Sequence, residues 1–285
     1  MLRRWCIPLA ALGMMIGGSL AMAGSAAAGT HAPGVPKPGG SLVRPAANLT
    51  SPGGQLIRPL THLIRPGTGH GTLPLGTAGG PAKAAESTNW SGYAAAGSFT
   101  KVSASWTEPT GHCSGGNQYS SFWVGLDGFN SSTVEQTGSE VDCSGSTARY
   151  YSWYEMFPAN PVNFSNTVRP GDHFTGSVTY NGGGSYTLVL SDTTQGWSHT
   201  VNATLNGAAN SSAEVIAEAP SSISGVLPLA NFGTVNFTNA TVNGTAIGND
   251  HPTQIIMVDN SGRDKDTVSA LSAGENFSAT WQRRN

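Results

Sequence analysis

From Glu86 onward the chain breaks into short runs of alternating apolar and polar residues, separated by Gly, Asn, Ser and Pro. Val102-Ser103-Ala104-Ser105-Trp106 is one such run. Others are Phe122–Leu126, Ala148–Phe157, Phe174–Tyr180, Tyr186–Leu190, Ala213–Ala217, Thr234–Val242, Thr253–Val258 and Phe277–Trp281. No window carries a helical period of useful length. Successive side chains of a strand face opposite ways. Many short alternating runs with turn signals between them therefore predict an all-β fold, an antiparallel two-sheet β-sandwich of jelly-roll-like form. Roughly 200 residues suffice for a dozen or more strands around a substantial core.

One run is unusual. In Ser212-Ala213-Glu214-Val215-Ile216-Ala217-Glu218-Ala219-Pro220, alternation puts Ala213, Val215 and Ala217 on one face and Glu214, Ile216 and Glu218 on the other. The small apolar face suits packing of sheet on sheet. Two carboxylates on the opposite face are odd, because Glu is depleted in strands. Pro220 then ends the pairing.

The segment before Glu86 has a different texture. Met1–Ala23 reads as a secretory signal peptide: Arg3-Arg4, an apolar stretch Ile7–Ala21, and the small-residue site Ala21-Met22-Ala23, with Ala28 the latest alternative. The apolar stretch is short and interrupted by Gly for a membrane span, and no later segment looks transmembrane. A secreted, extracellular protein without membrane contact is expected. Residues 24–85 are rich in Pro and Gly and repeat a short motif: Leu42-Val43-Arg44-Pro45, Leu56-Ile57-Arg58-Pro59 and Leu63-Ile64-Arg65-Pro66. This region is either a disordered linker or a propeptide whose arginines pair with an acidic domain and let go when its carboxylates protonate.

Charge supports that division. Residues 1–85 contain seven Lys/Arg and no acid; residues 86–285 contain the other seven Lys/Arg and all sixteen Asp/Glu. An acidic domain without a basic stripe is a poor nucleic-acid binder, since phosphate neutralisation needs Lys and Arg. The three cysteines reduce to Cys113 and Cys143 once Cys6 is assigned to the signal. In an exported protein these are expected to form a disulfide.

Metal and cofactor chemistry find little support. His112, His173, His199 and His251 are scattered without paired spacing, so a zinc site is not expected. There is no Gly-rich loop opening a helix and no Gly-x-Ser-x-Gly elbow. Carboxylates remain: Glu155 in Trp153-Tyr154-Glu155, Glu218 beside Glu214, and Asp127 closing Phe122-Trp123-Val124-Gly125-Leu126. Gln136 stands in Val134-Glu135-Gln136-Thr137-Gly138. Taken singly, a strand Glu is ordinarily a solvated outer-face residue, and a Gln before Thr-Gly an ordinary strand end.

Taken together, the segments resemble the glutamic peptidases, or eqolisins, in a bacterial-type secreted form. The matching motifs are Asn89-Trp90-Ser91-Gly92-Tyr93, Trp123-Val124-Gly125-Leu126-Asp127-Gly128, Gln136-Thr137-Gly138, Trp153-Tyr154-Glu155 with Pro158, Ala213-Glu214 with Glu218, and Pro228-Leu229-Ala230-Asn231-Phe232. The resemblance implies a β-sandwich acid endopeptidase, made as a zymogen, that needs no metal or cofactor. It matches the family's catalytic residues to Gln136 and Glu218, and its cleft-lining residues to Trp123, Asp127 and Glu155. Glu135 departs from the family, standing where an aliphatic residue is usual. If Gln136 faces the cleft, Glu135 faces away, which shifts the strand's environment and leaves the chemistry in place. Val215 also replaces a common aromatic.

The expected chemistry has Glu218 take a proton from water and pass it to the leaving amine, while the Gln136 amide donates to the oxyanion. Free Glu has a pKa of about 4.3, so activity is expected at acidic pH with Glu218 setting the lower limb. Trp90, Trp123 and Trp153 are candidate cleft walls. Partners are polypeptide substrates and the chain's own propeptide as inhibitor; a monomer is expected. Two rivals belong to other classes: a retaining glycosidase using Glu155 and Glu218 about 5–5.5 Å apart, and a non-catalytic carbohydrate-binding module.

Overall fold

The computed structural model describes residues 84–222 and 225–285, together with the strand pairing of Ile64–Arg65. The expected signal peptide and nearly all of the leader lie outside the described residues. In chain order the strands are β1 (Ile64–Arg65), β2 (Ala85–Ser87), β3 (Trp90–Ala96), β4 (Lys101–Thr107), β5 (Asn117–Leu126), β6 (Val134–Ser144) and β7 (Thr147–Phe157). Next come β8 (Val162–Asn163), β9 (His173–Gly182), β10 (Ser185–Asp192), β11 (Trp197–Thr204) and β12 (Ser212–Glu218). The last are β13 (Ser221–Ser222), β14 (Gly225–Val226), β15 (Thr234–Val242), β16 (Thr245–Ala246), β17 (Thr253–Met257), β18 (Asp266–Val268) and β19 (Phe277–Trp281).

They form two large sheets. One has nine strands in the order β1-β2-β17-β3-β12-β5-β6-β7-β8; the other runs β11-β10-β9-β4-β15-β19-β18, with β16 beside β15. Pairing is antiparallel except between β17 and β2. The expected β-sandwich is present. The only helix among the described residues is a single 3₁₀ turn, Ile247–Asp250.

The inner faces of both sheets make the main core. Phe122, Val124, Leu126, Ala213, Val215 and Ala217 of the first sheet meet Trp106, Phe174, Leu188, Leu190 and Phe237 of the second. Trp106 stacks on Phe174 and donates Nε1–H to the Ser139 hydroxyl at 2.8 Å. The small Ala213, Val215 and Ala217 side chains thus pack between sheets, as their alternation predicts. On the opposite face of the nine-stranded sheet, a second cluster joins Trp90, Ala94, Trp123, Val134, Trp153, Ile216 and Ile255. Both faces of the central strands are therefore covered.

This double coverage explains where the sequence pattern is illegible. Strands β3 and β6 of this sheet are not among the expected runs. In β6 nearly every residue is buried, including Glu135, Gln136, Glu140 and Asp142, so apolar-polar alternation is absent. Nor does β6 stop at Thr137-Gly138: it continues to Ser144. Gly138 sits mid-strand because a Cβ there would come 2.3 Å from the Phe122 carbonyl oxygen and 2.6 Å from the Trp123 Cβ. Cys113 and Cys143 form the expected disulfide, with Cα atoms 5.4 Å apart. It ties the segment after β4 to the far end of β6.

Candidate active site

Residues opposite one another on antiparallel strands project to the same face. Three successive rows across β3, β12, β5, β6 and β7 therefore define the outer face of the nine-stranded sheet. The first row is Ala94, Glu214, Gly125, Gln136 and Glu155; the second is Gly92, Ile216, Trp123, Gly138 and Trp153. The third is Trp90, Glu218, Ser121, Glu140 and Tyr151. Gln136, Glu155, Glu218 and all three candidate tryptophans share this face. Gln136 and Glu218 lie on a diagonal through Trp123, two steps of about 7–8 Å each between Cα atoms.

Glycines in these rows make room for the indole of Trp123. A Cβ on Gly125 would come 2.9 Å from Cζ3 of Trp123 and 3.2 Å from the Cβ of Gln136. One edge of the indole therefore lies over Gly125, next to Gln136. At its other edge, Nε1–H donates to the Glu218 Oε2 at 2.8 Å. A single ring thus spans the interval between the two residues. Trp90 meets it edge-on, with centroids 5.1 Å apart.

Gln136 and Glu218 each hydrogen-bond a neighbouring side chain. The Gln136 Nε2–H donates to Glu155 Oε2 at 2.7 Å, which fixes the amide's orientation. The Asn89 Nδ2–H donates to Glu218 Oε1 at 3.4 Å, while Asn89 Oδ1 accepts from the Ser87 hydroxyl. Asn89 belongs to one of the family-like motifs, yet its sequence gave no hint of this role; only the fold brings it to Glu218. Burial pushes the Glu218 carboxyl up to about 8, against the opposing hydrogen bonds of Trp123 and Asn89. Burial therefore favours its neutral form, in contrast to the exposed glutamate that its ordinary pKa describes. Glu214 is also raised well above normal by burial. Glu140 and Asp142, neighbours on the same face of β6, are both raised by burial and share a hydrogen bond.

Asp127 is placed elsewhere. It is buried at the end of β5 with φ 67°. Its carboxylate accepts from the backbone N–H of Asn210 (2.7 Å) and of Ser211 (2.8 Å) and from the Ser211 hydroxyl (3.1 Å). It holds the loop that leads into β12 and so aligns Glu214 and Glu218 indirectly, instead of lining the cleft. Glu135 faces inward, as the alternation requires. There its carboxyl is pushed up to about 8 by burial and then by the neighbouring Asp127 charge.

The model of the peptidase A4 family matches residues 88–281. The chain belongs to the peptidase A4 family. Aspergillopepsin-2 of Aspergillus niger is 31% identical over 189 residues, covering 57% of this chain and 67% of that protein. A crystal structure of scytalido-glutamic peptidase with a transition-state analogue inhibitor superposes with a TM-score of 0.60 at 26% identity, over 68% of this chain and 98% of that one. Aspergilloglutamic peptidase from Aspergillus niger gives a TM-score of 0.51 at 26% identity, over 58% of this chain and 99% of that one. This A4 peptidase is a glutamic-type endopeptidase with a β-sandwich fold, acting on polypeptides.

Proposed function

We propose that Glu218 and Gln136 carry out the hydrolysis, the first as general base and acid and the second as oxyanion donor. The observation that carries this reading is the Trp123 indole, which touches the Glu218 carboxyl at one edge and the Gly125–Gln136 row at the other. Glu218 as carboxylate takes a proton from water as that water attacks the scissile carbonyl; it then returns the proton to the departing amine. The Gln136 amide, oriented by Glu155, donates to the oxyanion, an interaction whose loss typically costs about 10²–10³ in rate. Admission of water and substrate reverses the desolvation that keeps Glu218 neutral. The donors already aimed at its oxygens, Trp123 and Asn89, then favour the ionised form.

The test uses Glu218→Gln and Gln136→Glu, assayed on a denatured protein substrate from pH 2 to 8. Each is expected to abolish proteolysis while circular dichroism and thermal unfolding at pH 4 match wild type. Full activity in either variant removes the assignment. A glycosidase pairing of Glu155 with Glu218 is disfavoured because the peptidase A4 family model matches residues 88–281.

We also propose that the protein is secreted as a monomeric zymogen, with residues 86–285 as its catalytic domain. The Cys113–Cys143 bridge fits an oxidising compartment. For the leader, β1 falls in its third Leu-Ile-Arg-Pro repeat and pairs with β2, with Ile64 opposite Ser87. Ser87 is the residue that hydrogen-bonds Asn89 beside Glu218. This contact supports a propeptide that docks at the edge of the sheet carrying the site.

A further inference from the structure

Next to the Glu218 end of the sheet lies a cavity of about 460 Å³ that the chemistry above does not use. Its lining includes Thr88, Val226, Val258, Asn260, Arg263 and Lys265. Thr88 immediately precedes Asn89, the donor to Glu218. Val226 lies on β14, in the short hairpin that follows Glu218 and Pro220. The lining thus includes the chain neighbour of Asn89 and a residue of the segment that follows Glu218.

Lys265 is the uncommon feature of this cavity. It is only 4% exposed, and Lys is almost never buried unless paired. Its ammonium donates to the Thr88 carbonyl at 3.3 Å. Among the described residues, however, the one ion pair within 4.0 Å is Arg263 with Asp259. Asp259 and Asn285, the latter with the chain's terminal carboxylate, also line the cavity, and neither forms an ion pair with Lys265. Asp259 is held by the Arg263 side chain and by the backbone N–H groups of Ser261 and Arg263. Asp266 is buried against Ser91, and Asp264 is exposed. Asp266 and Asp259 act on Lys265 only from beyond 4.0 Å, and a buried cation with no carboxylate in contact carries a desolvation cost that an incoming anion offsets.

We propose that this cavity is a specificity subsite that takes an acidic side chain of the polypeptide substrate, with Lys265 as its counter-charge. The proposal rests on Glu218 and Gln136 marking the scissile bond. Acidity sharpens it. Burial raises Asp266 to about 7, so below that pH it is neutral, whereas Lys265, lowered to about 8, keeps its charge. At pH 5 Lys265 is charged, and a free Glu side chain, with a pKa of about 4.3, is mostly ionised.

The experiment compares a peptide bearing Glu at one position beside the scissile bond with the same peptide bearing Gln, scanning that position along the sequence at pH 5. Binding is read by calorimetry on the Glu218→Gln protein, and cleavage on wild type. One position is expected to show about tenfold tighter binding and higher kcat/KM for Glu over Gln. Lys265→Met is expected to erase that ratio and leave the Gln peptide unaffected. Lys265→Arg should retain the ratio. Val226→Asp, which places a like charge at the mouth, should also lose it and serves if Lys265→Met does not fold. Equal binding of both peptides at every position overturns the proposal, as does a preference that survives loss of the Lys265 charge. A preference in binding without any cleavage by wild type would sink the catalytic assignment and leave the subsite standing.

Discussion

Eleven of the sixteen acids are buried: Glu108, Asp127, Glu135, Glu140, Asp142, Glu155, Asp172, Asp192, Glu214, Glu218 and Asp266. Glu135 shows what this does to stability. Its carboxyl moves from 4.5 to about 8, first through burial and then through the Asp127 charge. An acid whose pKa is higher in the folded state binds more protons there, so stability falls as pH rises between the two values. The contribution is complete below the unfolded pKa and is lost on the way to pH 8. At pH 7 the chain stands about 2.5 units above the unfolded value, and at 1.36 kcal/mol per unit this is about 3 kcal/mol. Glu108 and Glu218 are raised to about 8 by the same cause, and Glu140 and Asp266 to about 7. All of them move stability in the same direction, downward as pH rises.

The domain is therefore expected to unfold as pH rises through about 6–8, and this limit, not the chemistry of Glu218, ends activity on the alkaline side. Glu135→Gln isolates one group away from the proposed site. Urea unfolding at pH 4 and pH 7 should show a wild-type loss of several kcal/mol on going to pH 7. In the variant that loss should be smaller by about 2–3 kcal/mol. If the two proteins lose the same stability between these pH values, Glu135 titrates normally and the argument from burial fails.

Trp123→Phe removes the Nε1–H donor at 2.8 Å from Glu218. Because that bond lowers the Glu218 pKa, the acid limb of kcat against pH, which reports the substrate-bound enzyme, should move upward, and an unchanged limb would deny the contact a role during turnover. Gly138→Ala forces a Cβ against the Phe122 carbonyl and the Trp123 Cβ, neither of which is free to swing away. A loss of about 2–4 kcal/mol in thermal unfolding at pH 4 is expected, with near-wild-type stability as the contrary result. Replacing both Cys113 and Cys143 by Ser opens a closed loop of separation 30. In the chain-entropy model the cost is about 3–4 kcal/mol, readable as a lower urea midpoint at pH 4.

Much of the catalytic geometry is written locally. The run Ala213 to Glu218 alternates strictly, and a strand has a period of two, so sequence alone sends Glu218 to one face and Val215 to the other. The same rule sends Gln136 outward and Glu135 inward once the strand is granted. What alternation does not contain is the neighbour across the sheet. Asp127 closes an apolar run that resembles a cleft segment, but its positive φ turns it onto the Asn210–Ser211 backbone, and only the loop's path decides that. Asn89 and Lys265 are ordinary residues in sequence; one becomes a donor to Glu218 and the other a buried cation because β2, β17 and β18 converge beside β3. The Glu218 pKa is likewise a tertiary property, since desolvation depends on what surrounds a carboxyl and not on which residues precede it in the chain. Sequence determined which face each side chain takes; the stacking of strands determined what that side chain meets there.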